Sequence, residues 1–167
     1  MEDRLKVLKV MTTITSKVDL KEFARMVDLT PDQTLERIQE LSKTGFVRKV
    51  GSGYGITAKG KLVLKALNPV PRENGFRFYT GVGQYMGFSA ESLKDFWELV
   101  KKVDVKALEF HDSRGDFGNW IKTVFDDANL AKEFTRIREL KLKGENLRTE
   151  VLRAIESRYD FTGIFPF

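Results

Sequence analysis

Residues 35–64 read LERIQELSKTGFVRKVGSGYGITAKGKLVL, and the punctuation of this stretch decides the fold. Leu35, Ile38 and Leu41 recur at helical steps, so the stretch opens inside an amphipathic helix with those three facing in. Gly45 ends that helix by taking the left-handed conformation its neighbours avoid. Phe46 to Val50 then reads as a strand, Gly51-Ser52-Gly53 as a tight turn and Tyr54 to Thr57 as the returning strand. Thr57 caps a further helix, Ala58 to Leu67, whose apolar side is Leu62, Val63 and Ala66.

Upstream, Thr30 precedes Pro31 and stands three residues before Gln33, which is a capping box with proline at the first helical position. The helix therefore runs from Pro31 to about Lys43. Asp28-Leu29-Thr30 forms the turn before it, and Asp19 caps a short helix with Leu20, Phe23, Ala24 and Val27 inward. Glu2 to Ser16 carries Leu5, Leu8, Val10, Met11 and Ile14 at roughly helical spacing. Helix, helix-turn-helix, two-stranded hairpin, helix over residues 1–68 is the layout of a winged helix-turn-helix domain. The quoted stretch resembles the recognition helix, wing and following helix of the MarR, ArsR and PadR groups of regulators. Ile56-Thr57-Ala58 with Lys59-Gly60 is similar to the strand-to-helix exit of that family, although the wing is very short. The resemblance implies a DNA-binding transcriptional regulator.

Asn68-Pro69-Val70-Pro71 cannot continue a helix, so residues 69–75 read as a linker and 76–167 as a second, small helical domain. Phe76 to Tyr79 alternates as a short strand would. Gly81 to Gly87 is glycine-rich but lacks the spacing and lysine of a phosphate loop. Helices are expected from a Ser89 cap through Val100, from Asp104, from Asp116, and over roughly 129–142 and 145–159, followed by an apolar tail from Phe161 to Phe167. The strings FYTGVGQYMGFSAESL and VDVKALEFHDSRGDFGNWI resemble a helical domain of unknown function found in archaeal proteins, which implies no activity. The fold class expected is mainly α with a small β component.

Charge separates the two parts. Residues 1–68 hold 13 Lys and Arg against 8 Asp and Glu, and residues 69–167 hold 16 against 16, so the whole excess of +5 lies in the first part. That asymmetry suits a nucleic-acid binder joined to an effector or assembly domain. A charged fraction of 32% with few Gln and Asn is the composition expected of a thermophile. No apolar run is long enough to cross a bilayer and the start has no signal-peptide layout, so a cytoplasmic protein with no membrane partner is expected. Without cysteine, a disulfide framework and a thiolate zinc site are excluded.

The candidate DNA-contacting residues are Gln33, Thr34, Arg37 and Lys43 on the third helix, Arg48, Lys49, Ser52 and Tyr54 on the wing, and Lys59 just past it. Arg and Gln can bond guanine and adenine in a bidentate way, and Lys and Arg neutralise phosphates. Double-stranded DNA is the expected partner, read by a homodimer. The alternative is a protein-interaction module docking a component of the transcription, replication or translation machinery. His111 stands among Glu109, Asp112, Arg114 and Asp116 without the spacing of a metal site, and is expected to hold a loop between helices. The aromatics Tyr79, Tyr85, Phe88, Phe96, Trp97, Phe110, Phe117 and Trp120 are expected to form core, with a small-molecule or protein effector site as the other reading. No motif calls for catalytic residues, a metal or a cofactor.

Overall fold

The computed structural model describes residues 2–14 and 18–165. The chain divides into two compact units, Met1–Lys65 with Tyr159–Phe167, and Ala66–Arg158. Both are mainly helical, and among the described residues each carries one two-stranded antiparallel sheet.

In the first unit the order is α1 (Glu2–Thr13), α2 (Leu20–Val27), α3 (Pro31–Lys43), β1 (Val47–Val50), β2 (Gly53–Ile56) and α4 (Ala58–Leu67). The expected end of α1 at Ser16 lies outside the described residues. Local chemistry sets the other ends. Asp19 accepts the Glu22 N–H at 2.8 Å, and Thr30 and Gln33 form the reciprocal capping box at 3.2 and 3.1 Å. Gly45 takes φ +82° after α3, as its position requires. Val7, Leu8, Phe23, Ala24, Val27, Ile38 and Leu41 close the helical core. The face of α1 is turned relative to expectation, with Val7 buried and Leu5 half-buried.

Phe46, fully buried, sits where α3, the hairpin and α4 meet. Its carbonyl accepts the Thr57 N–H at 3.0 Å, and the Thr57 hydroxyl donates to the Gly45 carbonyl at 2.6 Å while accepting the Gly60 N–H at 3.1 Å. Gly60 is there because nothing larger fits: a Cβ would lie 2.4 Å from the Phe46 carbonyl oxygen and 2.7 Å from Ile56. The chain then returns to this unit from Tyr159. Asp160 caps α10 (Phe161–Ile164) through the Gly163 N–H at 3.0 Å, and Tyr159, Phe161 and Ile164 are buried. Each such ring or branched chain removed from water contributes roughly 1.5–3 kcal/mol. The sequence reading assigned this tail to the second domain; its packing is long-range and left no local mark.

The second unit contains β3 (Phe76–Tyr79), β4 (Tyr85–Ala90), α5 (Leu93–Val100), α6 (Val105–Arg114), α7 (Asp116–Phe125), α8 (Ala128–Leu140) and α9 (Gly144–Arg158). The segment read as a linker is tied to it: the Val70 N–H donates to the Glu91 carbonyl at 2.7 Å and the Trp120 indole to the Asn74 carbonyl at 2.7 Å. Ser89 does not cap a helix. It pairs with Arg77 across the sheet, and Ser92 caps α5 by accepting the Asp95 N–H at 3.0 Å. Phe76, Phe78, Phe96, Trp97, Phe117 and Trp120 are buried, so these aromatics are core.

Gly60→Ala should destabilise the chain by about 1–3 kcal/mol, because the new methyl meets the Phe46 backbone carbonyl first and the Ile56 side chain as well. Phe161→Ala should cost about 3 kcal/mol or more. Hydrogen exchange read by mass spectrometry should show both losses as faster exchange in α1–α4.

Candidate nucleic-acid interface

Helix α3 places its expected contact residues unevenly. Thr34 is a correction to the sequence reading: it is fully buried, its hydroxyl donating to the Thr30 carbonyl at 2.8 Å, because the inward face runs through Thr34, Ile38 and Leu41 and leaves Leu35 only half-buried. Gln33 is exposed, but its side-chain oxygen accepts the Thr30 N–H in the capping box. Arg37 reaches Glu40 at 2.6 Å and Glu36 at 3.5 Å. Glu40 also takes Arg4 of α1 at 2.8 Å. The Arg37 hydrogen bond, then that of Arg4, holds the Glu40 carboxyl below its ordinary range, and Glu40 in turn raises Arg37. These pairs are partly solvent-screened and individually weak. Their consequence is chemical, since the guanidinium of Arg37 is already engaged by carboxylates. Lys43 is exposed in the last turn of α3.

The β1–β2 hairpin is the exposed element. Its register pairs Val47 with Ile56, Arg48 with Gly55, Lys49 with Tyr54 and Val50 with Gly53. Because side chains alternate along a strand and cross-strand partners share a face, Arg48 and Val50 lie on one face over two glycines, while Lys49 and Tyr54 share the other. Arg48, Lys49 and Val50 are all exposed beyond the buried Val47, and Ser52 is exposed in the turn. Arg48 and Lys49 therefore point to opposite sides of one short basic ribbon. Lys61, on α4, is exposed as well.

Lys59, expected as a phosphate contact, is engaged within the unit. Its ammonium donates to the Thr44 carbonyl at 2.5 Å, pairs with Asp160 at 2.9 Å and lies 4.7 Å from the centre of the Phe46 ring. Burial pushes the Asp160 carboxyl up, but Lys59, the Gly163 N–H and the Thr162 hydroxyl together hold it below its ordinary value. Lys59 is thus the fastening between the end of α3, the start of α4 and the returning tail. Sequence reasoning missed Asp160; the only local signal was its position before Phe161-Thr162-Gly163, which suits a cap.

His111 belongs to the second unit and is buried among Phe76, Phe78, Phe110 and Phe117. Pairing between β3 and β4 is irregular between Arg77 and Tyr79, and the Tyr79 N–H donates to His111 Nε2 at 2.9 Å. With Nε2 an acceptor, Nδ1 carries the proton and donates to Asp116 at 2.8 Å. Arg114 approaches the same Asp116 oxygen at 3.3 Å. Both ring nitrogens are engaged, which is the loop-holding arrangement anticipated from the sequence. Among the described residues no group of three or more His, Asp or Glu could hold a metal ion, and no helix is long and apolar enough to cross a membrane.

Burial lowers the His111 pKa from 6.5, outweighing the opposing pull of Asp116, while Arg114 lowers it further. The folded state therefore favours neutral His111, and its contribution is complete above about pH 6.5 and lost progressively as pH falls from there toward the depressed folded value. His111→Gln should remove that part of the pH dependence in urea denaturation between about pH 7 and 5. At neutral pH His111→Ala should cost about 2 kcal/mol for the vacated ring and the orphaned Tyr79 N–H.

No family model, curated protein or solved structure matches this chain.

Proposed function

We propose that the first unit is a winged helix-turn-helix domain that binds double-stranded DNA, and that the chain is a cytoplasmic transcriptional regulator whose second unit serves dimerisation or effector sensing. The observation that carries this reading is the exposed basic hairpin, Arg48 and Lys49 on opposite faces with Ser52 at the turn and Tyr54 beside Lys49, close in sequence to the exposed Lys43. Charge supports it: the first unit holds 13 Lys and Arg against 9 Asp and Glu, the second 16 against 15. A narrow two-stranded ribbon is a shape that DNA grooves admit, and its cations would displace counterions from phosphates. A homodimer would let two such units address two half-sites.

The reading differs from the expectation in where recognition falls. On α3 the outward residues Asp32, Gln33, Glu36 and Gln39 carry more negative than positive charge, and Arg37 is engaged by Glu36 and Glu40. Phosphate contact through the hairpin is accordingly favoured over base readout by α3. The same acidic face, with Val50 52% and Met26 48% exposed, gives a second reading a footing: a module that docks a protein of the transcription, replication or translation machinery.

Fluorescence anisotropy with duplex DNA across a salt series separates the two. Arg48→Ala and Lys49→Ala should each weaken binding to every duplex and lower the magnitude of the log-log salt slope by about 0.9. Arg37→Ala should leave that slope unchanged. Duplex affinity that is absent, or insensitive to salt and to both hairpin variants, favours protein docking.

A further inference from the structure

The corner between α6, α7 and α8 holds a half-open cavity of about 300 Å³, at the lower end of the size range of small-molecule sites. Its inner wall is apolar, with Phe117 and Phe134 buried. Asp112 also lines it and is only 6% exposed, yet its carboxylate makes no hydrogen bond or ion pair among the described residues. No fully buried side-chain polar atom lacks a partner among the described residues, so the Asp112 carboxylate oxygens open into the cavity and are accessible from it. His111, one residue earlier on the same helix, has both its nitrogens satisfied. Burial raises the Asp112 pKa, opposed by the charges of Arg138 and Lys143.

The mouth has the opposite character. Lys122, Lys132 and Arg138 line it and are exposed. Arg138 is held in place: its Nε donates to the Ser113 carbonyl at 3.0 Å, and its guanidinium lies across Gly115, where a Cβ would meet Nη1 at 2.9 Å. Gly115 at φ +74° is what permits this approach. The terminal nitrogens of Arg138 carry no hydrogen bond among the described residues, so a pre-positioned fork faces the cavity entrance.

We infer that this cavity binds a small amino-carboxylate, its ammonium bonded to Asp112 at the inner end and its carboxylate taken by Arg138 at the mouth, with Lys122 and Lys132 adding attraction. A simple amine would meet three cations on entry, and a simple acid would be brought toward an unpartnered carboxylate. A molecule carrying both charges satisfies both ends. The inference stands on the second unit alone and does not depend on DNA binding.

Isothermal titration calorimetry of the full chain with 4-aminobutanoate and 6-aminohexanoate, each against its parent amine and parent acid, tests it. At least one amino-carboxylate should bind saturably and about tenfold or more tightly than either parent. Asp112→Asn, which preserves the shape and is checked for folding by circular dichroism, and Arg138→Gln should each reduce that affinity about tenfold or more. The inference is overturned by no saturable heat with either amino-carboxylate, by a parent amine or acid that binds equally well, or by unchanged affinity in a folded Asp112→Asn.

Discussion

The ammonium of Lys59 is caught by the Thr44 carbonyl, the Asp160 carboxylate and the face of the Phe46 ring, and the first unit depends on this capture. Lys59 is 42% exposed, so its ion pair with Asp160 alone is worth about 1 kcal/mol or less. The bond matters through what it aligns. It brings together the C-terminal end of α3, the first turn of α4 and the cap of α10, around a Phe46 ring that no water reaches. Gly60, pressed on the Phe46 carbonyl, and Thr57, bridging Gly45 and Gly60, complete the same junction. The hairpin therefore projects from a fixed base.

Features governed by neighbours in sequence were legible before the coordinates. The Thr30–Gln33 capping box, the Asp19 and Thr57 caps, the left-handed Gly45 and the tight turn at 51–52 each follow from a few adjacent residues. Features governed by distant contacts were not. Thr34 looks like a surface residue in sequence, and only the rotation of α3 against α1 and α2 buries it in place of Leu35. Lys59 looks like a free lysine until Asp160, a hundred residues on, returns beside it. Ser89 suits a cap in sequence, and strand pairing with Arg77 is what assigns it to β4. Arg37 was legible as a cation, but its engagement depends on Arg4 and Glu40 meeting across two helices.

In the second unit, α6 sets two buried titratable groups side by side with opposite outcomes. His111 accepts the Tyr79 N–H that an irregular strand pairing leaves unspent and donates its own Nδ1–H to Asp116, which fixes the ring, while burial keeps it neutral. Asp112 faces the other way, into a cavity with cations only at its mouth. Folding alone accounts for the first residue. The Asp112 carboxylate, on the cavity wall without a protein partner among the described residues, is where the proposed ligand's ammonium would bond. If the chain regulates transcription, this unit is where a small molecule could be sensed.

The central claim is that duplex DNA meets the β1–β2 hairpin rather than the outward face of α3. Titrating isotopically labelled protein with a duplex while following backbone amide shifts by NMR tests it most directly. The account predicts that the largest changes fall on Lys43, Arg48, Lys49, Ser52 and Tyr54, with Gln33, Arg37 and Lys59 little affected. Changes concentrated along α3 at Asp32, Gln33, Glu36 and Arg37, with the hairpin unmoved, would contradict it.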